Sequence, residues 1–286
     1  MTLTAFAPAK VNLCLHVGPV EADGYHPVSS LAVFADVGDV LTATPAAQSS
    51  LRIDGPFAQG LSTGADNLVL RALEAVGAPA MDLRLDKRLP VASGLGGGTS
   101  DAGAALRLAQ RLDPRLTDAD LERAAASLGA DGPLCLWRRP ALAEGRGERL
   151  TPAPALPLLH AVLVNPGAAC ATGAVYAAFD EGGPCRLEPV RLPSAFADFG
   201  ALIAFLAGMR NDLEAPARRL QPAVGAVLDR LSAMPQAQLA RMSGSGATCF
   251  ALCRTAVDAE DLARMMSKDQ PGWWVEPCRL GGPQED

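Results

Sequence analysis

Paired cysteines, histidines and long apolar runs are what this 286-residue chain lacks. Its seven cysteines stand at 14, 135, 170, 185, 249, 253 and 278, an odd number with no Cys-x-x-Cys pair, and its three histidines complete no zinc set. A disulfide framework and a zinc ribbon are thereby disfavoured, and a reducing compartment is expected. Cys249 and Cys253 lie four apart in an apolar run; on a strand they share a face, which reads as core. No window reaches the ~20 apolar residues of a membrane span. Lys10 interrupts the one N-terminal run that could act as a secretory signal. The expectation is a soluble, cytoplasmic protein. Positive charge is also short: 25 basic against 31 acidic residues give a net −6. No general affinity for nucleic acid or acidic membranes is expected, so an anionic ligand must be held by local features.

Familiar nucleotide signatures are missing as well. No lysine lies between Gly94 and Ser100, so the loop there is not a Walker A loop. Gly94 and Gly96 are followed by Thr99 where a dinucleotide fingerprint needs its third glycine. No kinase catalytic-loop or Asp-Phe-Gly signature occurs, and Ser243-Gly244-Ser245-Gly246 does not meet the nucleophile-elbow pattern.

What is present is a strand, a glycine loop, hydroxyls and a helix, in that order. Met81-Leu83-Leu85 alternate, Pro90 ends any ladder pairing on its own nitrogen, and glycine fills 94, 96, 97 and 98. Thr99, Ser100 and Asp101 are N-cap residue types ahead of an alanine-rich helical run from Ala102 to Leu112. Glycines let the backbone approach a ligand closely, and a helix start offers unpaired N–H groups at its positive end. Together they predict a cradle for an anion, most naturally a phosphate.

Around this stretch the chain alternates strand and helix patterns. Two short strands broken at Ala7-Pro8-Ala9 put Lys10 and Asn12 on one face and Val11, Leu13, Leu15 and Val17 on the other. Asp23-Gly24-Tyr25-His26 is a turn that carries a stacking platform and an imidazole. Leu31 to Thr44 reads as two strands about Gly38, and Asn67 to Val76 as a helix capped by Asp66. Thr117 to Asp120 forms a capping box for a helix ending at Gly129. Asp131 then sits at the unfavourable, negative end of that helix, which points to solvent exposure or a function. Proline-rich runs place a boundary near residue 155, dividing the chain into 1–155 and 156–280 with a disordered tail at 281–286. Ala217 to Leu231 reads as one helix, and Ser243 to Gly246 as a second glycine–hydroxyl turn, either a hairpin or a ligand loop.

The pattern from Pro90 to Ser100 resembles the nucleotide loop of the GHMP kinases. Ala7 to Leu13, Asp23 to His26, Gly129 to Pro133, Val164 to Gly167, Asn211-Asp212-Leu213-Glu214 and Met242 to Ala247 narrow the resemblance to the family that phosphorylates a cytidylylated methylerythritol. The resemblance implies an α+β GHMP kinase fold: an N-terminal domain like domain 2 of ribosomal protein S5, a C-terminal ferredoxin-like domain, and a site in the cleft between them. It implies ATP-dependent phosphorylation of a 2-hydroxyl in the non-mevalonate route to isoprenoid precursors. The family's catalytic pair falls on Lys10 and Asp131. Its substrate contacts fall on Asn12, Tyr25 and His26. Its ATP loop falls on Pro90, Ala92, Ser93, Gly94, Leu95, Gly96, Gly97, Gly98, Thr99, Ser100, Asp101 and Ala102, with Mg²⁺ entering beside ATP near Ser100. The expected partner is the small cytidylylated sugar alcohol, and monomer and homodimer both stay open. The chain departs from the pattern at Gly132, where a larger residue is usual, and at Cys170-Ala171, where a Ser-Thr pair is common.

Overall fold

The computed structural model describes residues 1–183 and 185–281. Its strands are β1 (Leu3–Asn12), β2 (His16–Val17), β3 (Val28–Pro45), β4 (Ser50–Asp54), β5 (Met81–Asp86), β6 (Ala141–Gly145), β7 (Arg149–Pro152), β8 (Leu159–Asn165), β9 (Ala237–Met242), β10 (Cys249–Cys253) and β11 (Trp274–Leu280). Its helices are α1 (Leu68–Ala75), α2 (Gly97–Leu112), α3 (Asp118–Leu128), α4 (Gly132–Trp137), α5 (Thr172–Asp180), α6 (Phe199–Ala207), α7 (Glu214–Leu220), α8 (Pro222–Ser232) and α9 (Ala256–Asp269).

The long β3 is the spine of the first half. It pairs antiparallel with β1, β2, β5 and β6, while β4 joins β5 in parallel. In the second half β8 lies between β10 and β11, and β9 adds to β10, all antiparallel. A single pair, Leu280 with Ala35, joins the two sets into one sheet. The hydrophobic clusters follow this division: one under α1 and α2, one beneath α7, α8 and α9, and one between the two strand sets. Among the described residues no helix is long and apolar enough to cross a membrane.

Several local expectations are corrected. The first segment is one strand with a register shift between Pro8 and Lys10, not two strands. Gly38 stands opposite Pro8, and a Cβ there would lie 2.3 Å from the Ala7 carbonyl oxygen, so β3 runs straight past the proline without a side chain in the way. The cap of α1 is Asn67, whose Oδ1 accepts from Val69 N–H, while Asp66 accepts from Ser62 instead. The run from Ala217 to Leu231 is two helices, because Pro222 begins α8. Of the stretch expected as a tail, Gly281 donates its N–H to Phe34 O, and 282–286 lie outside the described residues. The capping box of α3 forms as expected, with Thr117 and Asp120 satisfying each other's backbone.

Candidate active site

A cleft of about 460 Å³ opens where β1, the glycine loop, the start of α4 and the Ser243–Gly246 turn meet. Its floor is the start of α2, which begins at Gly97, not after Asp101 as the residue types suggested. The cap residue is Gly96, in the left-handed region at φ 65°, and no side chain bonds the helix start. The first N–H groups of α2 therefore have neither an internal acceptor nor a side-chain cap, and their residues Gly97, Gly98 and Thr99 line the cleft. No acidic residue sits in the first turn to offset the positive dipole end.

The loop residues divide by direction. Pro90, Ala92, Ser93, Gly94, Gly96, Gly97, Gly98 and Thr99 line the cleft. Leu95, Ser100 and Ala102 point into the protein: Leu95 is core, Ala102 packs against α1 and α3, and Ser100 Oγ donates to Pro8 O at 2.8 Å. Asp101 reaches the cleft wall only from beneath, where it is ion-paired with Lys87.

The second glycine turn braces the first. Ser243 Oγ accepts from Asn12 N–H at 3.1 Å and donates to Gly94 O at 3.0 Å, and Thr248 N–H donates to Ser93 O at 3.0 Å. A Cβ on Gly94 would stand 2.3 Å from Ser243 O, so only glycine admits this approach. The Asn211 to Glu214 segment holds the brace. Asn211 Nδ2 donates to the carbonyls of Met242 and Gly244, both at 2.8 Å, and Glu214 accepts from Met242 N–H at 3.0 Å.

Lys10 and Asp131, 121 residues apart in the chain, meet at 3.2 Å across the cleft. Lys10 Nζ also donates to Asn12 Oδ1 at 2.7 Å, and Asn12 Nδ2 donates to Ser30 Oγ at 2.7 Å, so the ammonium has a fixed position. The lysine side chain is buried, whereas the Asp131 side chain is 41 % exposed. A Cβ on Gly96 would lie 3.3 Å from Lys10 Cε, which puts the pair directly beside the glycine loop. Asp131 is not stranded at a helix C-terminus. It is the N-cap of α4, with α4 starting immediately after it, so the dipole there favours its charge. Gly132 is required by this geometry: a Cβ would come 1.9 Å from the Ala125 carbonyl oxygen. Burial and the Asp131 charge push the Cys135 thiol up to about 12, and act in the same way on the Tyr176 hydroxyl, also to about 12.

Neither Tyr25 nor His26 lines the cleft itself, but each touches a residue that does. His26 is buried, its Nδ1–H donating to Gly18 O at 2.9 Å, with Nε2 3.5 Å from Asp180. Its ring lies 4.9 Å from that of Tyr176, which lines the cleft. Tyr25 is 56 % exposed and carries the Arg146 guanidinium 4.4 Å above its ring, while Arg146 also pairs with Asp23. Tyr176, Arg146 and Lys87 escaped sequence reasoning. For Tyr176 and Lys87 the available signal was rarity, since the chain has only two tyrosines and three lysines; Arg146, in an arginine-rich chain, offered none. Where the Ser-Thr pair is replaced, Thr172 Oγ1 still shares a hydrogen bond with Ser245 Oγ at 2.9 Å.

The models for the GHMP kinases N-terminal domain and the GHMP kinases C-terminal match residues 63–138 and 192–271. A 4-diphosphocytidyl-2-C-methyl-D-erythritol kinase of Caulobacter vibrioides (strain NA1000 / CB15N) is 55 % identical over 98 % of this chain and 100 % of its own length. The protein of that name from Hyphomonas neptunium is 47 % identical over 98 % and 97 %. The crystal structure of a 4-(cytidine 5'-diphospho)-2C-methyl-D-erythritol kinase superposes with TM-score 0.76 at 35 % identity, covering 98 % of this chain and all of that one. A homoserine kinase from Cytophaga hutchinsonii shares the fold at TM-score 0.67 and 19 % identity, over 99 % and 96 % of the two chains. This chain belongs to the GHMP kinases and, among them, to the 4-diphosphocytidyl-2-C-methyl-D-erythritol kinase family.

Proposed function

We propose that the chain transfers the γ-phosphoryl group of ATP to the 2-hydroxyl of 4-diphosphocytidyl-2-C-methyl-D-erythritol, giving the 2-phosphate and ADP. The observation that carries this reading is the Lys10–Asp131 pair at 3.2 Å beside an uncapped helix start. Asp131 takes the proton of the attacking hydroxyl, the hydroxyl oxygen bonds to the γ-phosphorus, and the bond to the β–γ bridging oxygen breaks to release ADP. Lys10 holds Asp131 in place and offsets negative charge on the moving group. N–H groups of Gly97, Gly98 and Thr99 hold the phosphates. Such positioning and charge stabilisation supply most of what phosphoryl transfer needs.

Magnesium supplies charge neutralisation on the phosphates when bound with ATP. Among the described residues no group of three or more His, Cys, Asp or Glu could hold a metal ion, which suits a cation carried mainly by nucleotide oxygens. The Ser100 hydroxyl is committed to Pro8 O, so Thr99 at the cleft wall is the hydroxyl that would reach it.

Asn12 orients Lys10 and lies against the substrate, and Tyr25 and His26 receive the cytosine, with Tyr176 beside them. The division near residue 155 falls in the stretch between β7 and β8, and we take the halves as the two domains of the kinase. Coupled ADP release on a panel of alcohols tests the reading. Turnover with the cytidylylated substrate and none with homoserine or mevalonate is expected. Turnover with either of the latter alone would assign the chain to another GHMP kinase activity.

A further inference from the structure

Beneath the glycine loop lies a second lysine–carboxylate group that the phosphoryl transfer does not use. Lys87 follows β5, and its ammonium donates to Asp101 Oδ2 on α2 at 2.7 Å and to the Asp39 carboxylate on β3. The three side chains are 4 %, 4 % and 0 % exposed. Asp39 Oδ1 accepts the backbone N–H groups of Arg88 and Leu89, at 2.6 and 2.8 Å. One buried carboxylate thus fixes the chain entering the loop, and the other sits on the helix leaving it. The ammonium joins them directly under the helix start: a Cβ on Gly97 would lie 3.0 Å from Nζ.

Stability does not account for this arrangement. An ammonium and two carboxyl groups out of water are costly, and an apolar trio of similar volume often serves as well. The network is also incomplete, because among the described residues Asp101 Oδ1 has no hydrogen-bond partner, and a partly satisfied buried network is worse than an apolar core. What ionic hydrogen bonds add over apolar packing is direction. Sliding α2 by a fraction of a turn would keep apolar contacts but break a 2.7 Å bond. The loop itself contains no lysine to hold its register.

We propose that Lys87 is a positioning residue for ATP: it fastens β3 and the loop entry to α2, so that the uncapped N–H groups of Gly97 to Thr99 keep a fixed aim on the phosphates. This rests on the reading of the loop as the ATP site. It predicts that loss of the ammonium is felt as loss of ATP affinity, while the alcohol, held across the cleft by Asn12, Tyr25 and His26, binds as before.

The test uses the full chain with two variants. Lys87→Met keeps the stem and removes the charge; Lys87→Gln keeps a neutral donor and guards against a Met variant that does not fold. Titration with a non-hydrolysable ATP analogue, steady-state KM for both substrates and the melting temperature are measured, all kinetics well below melting. Lys87→Met should raise KM for ATP at least tenfold and weaken the analogue equally, Lys87→Gln should do so by a few fold, and KM for the alcohol should stay within twofold in both. A lower melting temperature with both KM values unchanged, or equal rises in the two, would overturn the proposal. If the unaltered chain itself fails to bind the analogue, the underlying ATP-site reading falls, which is a distinguishable result.

Discussion

Lys10 and Lys87 are both buried lysines in the wall of one cleft, and both face carboxylates, yet their surroundings set them to different work. Lys10 pairs with a single carboxylate, Asp131, that is 41 % exposed and opens into the cleft. Lys87 is shut in by two carboxylates that are themselves buried. Burial pushes the Lys87 ammonium's pKa down, but the charges of Asp101 and Asp39 more than offset this and hold it above its ordinary value. Asp101 also moves up, to about 8, but for the opposite reason: here desolvation, with the Asp39 charge beside it, outweighs the pull of Lys87. On the proposed reading, a lysine–carboxylate contact serves as a reactive pair where one partner can be reached by substrate, and as a clamp where both partners are buried.

The largest expected effect breaks the reactive pair. Asp131→Asn should lower kcat by ~10²–10⁴-fold, the usual range for loss of a general base, with little change in melting temperature. Coupled ADP release checks it; near-normal turnover would return Asp131 to a structural role. A smaller effect leaves both lysines intact and touches only the base end. Replacing Tyr25 and His26 together by Ala should raise KM for the cytidylylated substrate by roughly tenfold to a hundredfold, as loss of about 1–3 kcal/mol of stacking implies, and leave KM for ATP unchanged. Equal loss for both ligands would argue that the two side chains serve the fold.

The clamp has a signature in pH. In the unfolded chain the Asp101 carboxyl titrates near its ordinary 3.8, and in the folded chain near 8. Between these values the folded state keeps a proton that the unfolded state has lost, so this group's contribution to stability declines as pH rises through the window. The slope is at most ~1.4 kcal/mol per pH unit. Asp101→Asn removes that proton, so its melting temperature should fall less than the parent's between pH 5 and pH 8; parallel curves would contradict a raised carboxyl. The smallest effect sharpens the comparison from outside it. Thr117→Ala, in the exposed capping box of α3, should cost about 1 kcal/mol in denaturant unfolding and change neither KM, because it touches neither lysine group.

The sequence made the Lys10–Asp131 pair legible and hid the Lys87 network, for a physical reason. Period-two alternation put Lys10 and Asn12 on one face, and they bond at 2.7 Å. The glycine loop announced a backbone approach, and Gly94 and Gly96 do take positive φ. Asp131 was identified by resemblance, but its helix was misread. α4 has only six residues and starts directly after Asp131, too short for a periodic signal. The clamp draws on Asp39, Lys87 and Asp101, separated by 48 and 14 residues. Each reads alone as an ordinary solvated charge, and only the pairing of β3 with β5 and the packing of α2 on β3 bring them together. β9 was missed because its residues are half-buried with no clean alternation, and Tyr176 because its neighbour His26 lies 150 residues away.

The most direct test of the central claim is a single-turnover transfer with ATP labelled in its γ-phosphate and the cytidylylated methylerythritol as acceptor. Label is expected in a new phosphate ester on the 2-oxygen, formed at least a hundredfold more slowly by Asp131→Asn, in line with loss of a general base. Label released only as free phosphate, or transfer by Asp131→Asn at the parent rate, would contradict the claim.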